Sequence, residues 1–252
     1  MKLNSKEALI TGASSGVGAQ VAIQLAQYGV SVVINYARSK NKALAVQKQI
    51  QDAGGKAIVC QADVSEDAQC VSLVNKAVEY FGKLDIVINN AGTTEFVPHR
   101  VLDDLTDDIW HKTLSTNLMG PFYVSRAAKP YLEKQGGEIV MTSSIAGLST
   151  HGSSIAYCAS KAALNSLTKT LANALGECNI RVNAICPGLI DGEWSRLGWQ
   201  ENWDAAKDYT LSQSAIKRIS TPCDIAQSII ALLQGSDNMT GQLITLDSGL
   251  TL

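Results

Sequence analysis

Metal ligands are the first thing this chain lacks. Its 252 residues include only three histidines, His99, His111 and His151, none at ligand spacing from another. The six cysteines form no Cys-x-x-Cys pair, so free thiols packed as small hydrophobes are expected, and no metal site. A basic excess is missing too. The formal net charge is −2, which argues against the basic patch of a nucleic-acid-binding surface. No apolar run approaches the ~18 residues of a membrane span, and residues 1–7 lack the apolar stretch of a signal peptide. A soluble, cytoplasmic protein with no membrane partner is expected. Phenylalanine is scarce, at three residues, while hydrophobic residues still reach 46%, much of it alanine. Together with 20 glycines this favours close packing of helices on a sheet.

What is present is a regular alternation. Short apolar, largely β-branched runs at 8–10, 32–34, 57–59, 86–88, 139–141, 182–185 and 243–246 read as strands. They are continuous rather than alternating, as in strands covered on both faces. Helical patterns fill the gaps at about 16–29, 40–53, 66–81, 107–134, 154–177 and 223–233. The order predicts a single-domain, Rossmann-like α/β fold: a doubly wound parallel seven-stranded sheet with helices on both faces. No linker or repeat divides 1–252. Residues 188–217 are the one irregular stretch, with Trp194, Trp199, Trp203 and Tyr209 in polar surroundings. A mobile lid over the crevice at the strand ends is expected there, a core helix being the alternative.

Tyr157 and Lys161 stand four residues apart in a helical pattern, which puts phenol and ammonium on one face. A neighbouring cation favours the phenolate, so the tyrosine pKa is expected to fall towards the working pH. Such a tyrosine can exchange a proton with a substrate oxygen.

A glycine-rich turn joins the first strand to the first helix: Thr11, Gly12, Ala13, Ser14, Ser15, Gly16, Val17, Gly18. The spacing differs from G-x-G-x-x-G, yet glycines leave room for a pyrophosphate and the helix N-terminus presents N–H groups to it. At the end of the second strand stand Asn35, Tyr36, Ala37, Arg38 and Ser39, with no carboxylate. A carboxylate there would bind the ribose hydroxyls of NAD; a guanidinium suits a 2′-phosphate. NADP(H) is therefore favoured over NAD(H).

These motifs, in this order, resemble those of the short-chain dehydrogenases/reductases over essentially the whole length. The glycine turn is similar to the family's T-G-x-x-x-G-x-G, and Asn89-Asn90-Ala91-Gly92 to its N-N-A-G. Asp63 and Val64 resemble the pair that contacts adenine. Pro187 and Gly188 match the segment bounding the nicotinamide pocket, with Ile190 close behind. The resemblance implies a catalytic set of Asn117, Ser144, Tyr157 and Lys161, Ser143 being the lesser candidate for the serine. It implies that Tyr157 protonates a carbonyl oxygen, Ser144 hydrogen-bonds it, Lys161 also holds the nicotinamide ribose, and Asn117 orders a water. Asn90, Ala91 and Gly92 join the cofactor contacts.

Asn35–Ser39 and the Thr240–Leu250 ending look like the 3-oxoacyl-[acyl-carrier-protein] reductase branch. An acidic carrier protein would dock on bases such as Arg126 and Lys129. Residues 173–178 carry no base where that branch has one, and Leu189-Ile190-Asp191-Gly192 replaces its usual threonine after Pro-Gly. The leading expectation is an NADPH-dependent reductase of a ketone or 3-oxoacyl thioester. The alternatives are a dehydrogenase of a secondary alcohol, sugar or steroid, and a non-catalytic dinucleotide sensor. A homotetramer built across the 107–134 and 154–177 helices is also implied.

Overall fold

The apolar runs pair edge to edge into one sheet. The computed structural model describes residues 1–235 and 237–252. Its strands are β1 (Glu7–Ile10), β2 (Ser31–Tyr36), β3 (Ala57–Gln61), β4 (Ile86–Asn89), β5 (Gly137–Thr142), β6 (Ile180–Pro187) and β7 (Leu243–Leu246). They lie in the order β3-β2-β1-β4-β5-β6-β7, and every pairing is parallel. Ile10 sits level with Ile34 on one side and Ile88 on the other, so the three isoleucines form one buried row. The strand order reverses between β1 and β4, which opens a crevice beyond their C-terminal ends.

Alternate residues of the strands feed two cores. Ala8, Ile10, Val32, Ile34, Ile86 and Ile88 pack in the layer of α1 (Gly16–Gln27), α2 (Lys40–Asp52) and α9 (Pro222–Gly235). Leu9, Val33 and Val87 face α3 (Asp67–Phe81), α5 (Gly120–Leu132) and α6 (Ile155–Leu175). Each such fully buried aliphatic side chain contributes about 1.5–3 kcal/mol. The two-layer burial explains why the strand runs read as continuously apolar. At the other end of β4, Asp85 is fully buried and accepts from Lys6 Nζ at 2.6 Å and from the Glu7 amide at 2.9 Å; Lys83 Nζ stands 3.0 Å away. Burial pushes that carboxyl up, but these partners outweigh it and hold it below the usual carboxylate value.

Two elements differ from the sequence expectation. The 107–134 helix is interrupted: α4 (Asp107–Leu114) passes through a π-helical turn, Ser115–Met119, before α5 begins. Pro121, in the first turn of α5, has no N–H to offer the carbonyl four residues behind it, that of Asn117. The 188–217 stretch is mostly helical, with α7 (Glu193–Trp199) and α8 (Trp203–Gln213) joined by a short 3-10 turn. Trp203 is buried beneath them, with Arg196 5.2 Å from its ring centre. The ends of this insert meet where Ile190 bridges Ser220, and the Asp191 amide donates to the Ser220 carbonyl at 2.8 Å.

Candidate active site

The crevice at the strand ends is a cleft of about 1600 Å³, enough for a dinucleotide and a second molecule together. Its floor is the glycine turn. Gly12 and Gly16 both have positive φ, 60° and 59°. A Cβ on Gly12 would lie 2.8 Å from the Ala91 Cα, so no side chain fits between the turn and the segment after β4. Asn90 braces that contact, its Nδ2 donating to the carbonyls of Thr11 at 3.0 Å and Gly12 at 3.1 Å. Thr11 Oγ1 accepts the amides of Asn90 and Ala91, each at 3.0 Å. Ser15 precedes α1 in extended conformation and its side chain does not cap the helix, leaving the first N–H groups directed at the cleft.

The cofactor candidates divide by depth. Gly12, Ser15, Gly16, Val17, Asp63, Val64, Asn90, Ala91, Gly92, Pro187, Gly188 and Ile190 line the cleft. Arg38 lines it too, exposed and in no ion pair among the described residues. Ser14, Gly18, Tyr36 and Ser39 do not line it. Tyr36 is buried in the core instead, and Gly18 serves the turn, because a Cβ there would meet Asn90 Nδ2 at 2.5 Å. Asn35 borders the cleft, but its side chain is an internal brace. Its Oδ1 accepts from the Gly12 amide at 3.2 Å and its Nδ2 donates to the Ala62 carbonyl at 3.0 Å.

The catalytic candidates converge from three elements. Ser144 follows β5 and caps a short 3-10 turn, accepting from the Ala146 amide at 3.1 Å. Tyr157 lies in the first turn of α6, where Ser154 Oγ accepts its amide at 3.2 Å. The Ser144 hydroxyl lies on the phenol's side of the cleft and acts to favour its ionised form. Lys161, one turn on, donates from Nζ to the Thr142 carbonyl at 2.8 Å. Ser143 is spent on Asn165, donating to its Oδ1 at 2.6 Å, whereas Ser144 Oγ donates to the Pro187 carbonyl at only 3.4 Å. Asn117 is fully buried behind this set. Its Oδ1 accepts the Thr93 amide at 2.8 Å, and its Nδ2 donates to the Thr93 carbonyl at 2.9 Å and to Ser160 Oγ at 3.0 Å.

One electrostatic expectation is reversed. Burial pushes the Tyr157 phenol up to about 12, with the Ser144 hydroxyl acting in the opposite sense. Burial likewise pushes Lys161 down to about 8. Both charged forms lose hydration, and the ammonium is bonded to a carbonyl rather than to the phenol. The phenol is thus an acid that stays protonated at neutral pH.

Sequence reasoning missed the aromatic contacts over the site. Trp194 of α7 lies 6.2 Å from Tyr157 between ring centres, and Phe96, in the loop after β4, lies 5.9 Å from Trp194 and 5.6 Å from Trp199. A lone phenylalanine in an aperiodic loop gives no pattern to read. Asp191 pairs with Arg196 at 2.7 Å, and Glu193 with Lys42 of α2 at 2.7 Å, which ties the insert to the helix beside Arg38. The two bases considered for carrier-protein docking are already paired, Arg126 with Asp67 at 2.6 Å and Lys129 with Glu133 at 2.5 Å. Among the described residues no helix is long and apolar enough to cross a membrane, and no cluster of His, Cys, Asp or Glu is placed to hold a metal.

Comparison with known proteins agrees with this geometry. The family model described as Enoyl-(Acyl carrier protein) reductase matches residues 12–251. The chain is 34% identical over 248 residues to the 3-oxoacyl-[acyl-carrier-protein] reductase FabG of Staphylococcus epidermidis, covering 98% of this chain and 99% of that one. It is 34% identical over 261 residues to versicolorin reductase stcU of Emericella nidulans, covering 98% and 96%. The crystal structure of a dehydrogenase/reductase from Sinorhizobium meliloti 1021 superposes with a TM-score of 0.90 at 31% identity, covering 100% of this chain and 98% of that one. A Tyr–Ser–Lys constellation at the switch point of a seven-stranded parallel sheet, with full-length relatives of this kind, places the chain in the short-chain dehydrogenase/reductase family, as an oxidoreductase.

Proposed function

We propose that the protein is an NADPH-dependent reductase that converts a ketone, or the 3-oxo group of an acyl thioester, into a secondary alcohol. The observation that carries this reading is the protonated Tyr157 phenol and the Ser144 hydroxyl lining one cleft wall, with Lys161 one turn behind. The cofactor, when bound, supplies the hydride. Tyr157 gives its proton to the carbonyl oxygen as charge develops there, and Ser144 fixes that oxygen. Lys161 spends one N–H on Thr142, leaving two for ribose hydroxyls and for proton resupply. The Asn117 side chain is fully committed, so its part in resupply falls to its backbone carbonyl, which Pro121 deprives of an α-helical donor. The open guanidinium of Arg38 supports NADPH over NADH, as does the absence of a carboxylate at the end of β2.

We read residues 1–252 as one catalytic domain, cytoplasmic, with 188–217 as a lid over the substrate end. A homotetramer is supported by α6. Leu164 and Leu175 are buried in the protomer's own core, while the outward face carries the small residues Ala159, Ala162 and Ser166 against which a second copy can pack closely. An acyl carrier protein remains a partner for the thioester form of the substrate, at the expense of the Arg126 and Lys129 ion pairs. The test is a panel followed at the nicotinamide absorbance, with NADPH and NADH against acetoacetyl thioester, simple ketones and an enoyl thioester, and NADP+ against secondary alcohols. Ketone reduction with NADPH supports the reading. Turnover confined to the enoyl thioester or to alcohol oxidation replaces it.

A further inference from the structure

The substrate end of the cleft has a wall of rings in tilted and edge-on contact that the hydride chemistry does not require. It starts at the reacting phenol, since Tyr157 and Trp194 are 6.2 Å apart at 42°. It continues through Phe96, 5.9 Å from Trp194, to Trp199, 5.6 Å further at 72°. All four rings line the cleft. Trp194 is 51% exposed, so much of the indole is uncovered although its neighbours pack against it.

The wall is also built firmly. Gly198 of α7 has no side chain because a Cβ there would fall within the Phe96 ring, which instead presses onto the helix backbone. The next residue after Phe96, Val97, ties the loop down by donating its amide to the Ser153 carbonyl at 2.9 Å. The Lys42–Glu193 and Asp191–Arg196 pairs hold α7 from the other side. Beside the rings, also lining the cleft, stand the small residues Gly152 and Ser153. The cleft beside them is a slot whose uncovered aromatic surface is the Trp194 indole.

From this we infer that the substrate is an aromatic ketone, its carbonyl at Tyr157 and Ser144 and its ring laid against Trp194 and the Phe96–Trp199 pair. The inference rests on the reductase reading for where the carbonyl sits. The reaction balances as written: hydride from NADPH to the carbonyl carbon, the Tyr157 proton to the oxygen, and the alcohol and NADP+ as products. A flexible alkyl chain of the same size gains only from leaving water, whereas each well-placed ring pair adds about two- to tenfold in affinity.

Two methyl ketones of equal carbon number, 2-acetylnaphthalene and 2-dodecanone, separate the cases. With NADPH the wild-type protein should reduce the naphthyl ketone with kcat/KM at least tenfold higher, and Trp194→Leu should bring the ratio to about two. Phe96→Leu, which removes the ring behind Trp194, should lower the ratio by a smaller factor and serves if the first variant folds poorly. Titration calorimetry of both ketones gives the same comparison without turnover. A wild-type ratio near one by either measurement, or a ratio unmoved by both variants, overturns the aromatic assignment. A tenfold binding preference with no reduction of any ketone or thioester upholds this slot and removes the reductase reading instead.

Discussion

The Lys161 ammonium lies 5.5 Å from the centre of the Tyr157 ring while donating to the carbonyl of Thr142, not to the phenol oxygen. The pair share a helix face, as four-residue spacing requires, but the lysine does not neutralise a phenolate in this arrangement. The Tyr157 phenol stays protonated at neutral pH, and burial is what keeps it so.

That sign is measurable. A phenol raised from 10.0 to about 12 contributes no tyrosinate below pH 10, so ultraviolet difference titration of wild type and Tyr157→Phe should coincide up to that pH. They should part only near the upper limit. An additional tyrosinate in the wild type titrating near neutrality would contradict the burial argument.

Removing the hydroxyl separates chemistry from binding. Tyr157→Phe should lose about 10²–10⁴-fold in kcat, with a much smaller change in NADPH affinity read by cofactor fluorescence. Lys161→Ala should lose both. Equal losses of affinity in the two variants would argue against the assignment of ribose binding to Lys161.

The sheet was legible in the sequence because both of its faces are buried, so runs such as 32–34 and 86–88 are apolar at every position. The Tyr157–Lys161 pair was legible because one helix carries both residues. α7 and α8 were not, since α8 buries only Trp203 and Thr210 and shows no apolar stripe. The Tyr157 shift was hidden for another reason: it depends on burial, which spacing along the chain does not encode. The same holds for Arg126, whose partner Asp67 lies on another helix.

Cofactor choice should turn on Arg38. Arg38→Ala should raise KM for NADPH about 10–100-fold, the worth of hydrogen bonds to a charged group, and leave KM for NADH nearly unchanged. Steady-state kinetics with both cofactors checks this. Equal effects on the two would remove the 2′-phosphate from the argument.

At the far end of β4, Asp85→Asn should cost about 1–3 kcal/mol at pH 7, because a buried, ion-paired acceptor becomes a neutral amide. The folded-state pKa of Asp85 lies below its usual 3.8, so its contribution is present above that value and lost as pH falls through the folded one. Denaturant unfolding at pH 7 and pH 3 should show the gap between variant and wild type narrowing in acid. A gap that does not vary with pH would mean the charge is not what stabilises.

Gly198→Ala should displace Phe96 from α7, costing about 1–3 kcal/mol by overpacking. Thermal unfolding reads the loss, and altered tryptophan fluorescence should report the disturbed Phe96–Trp194 contact. A variant matching wild type in both would show that the ring has room to shift at no cost.

Because Ile190 and Ser220 are bridged, the polypeptide leaves β6 and returns towards α9 through a single gate. The segment between behaves as an exchangeable cartridge: its length and composition can be rewritten without altering the separation of the two anchors. Selection, or an engineer, can therefore rewrite this insert while the strand that presents Pro187 and Gly188 stays where it is.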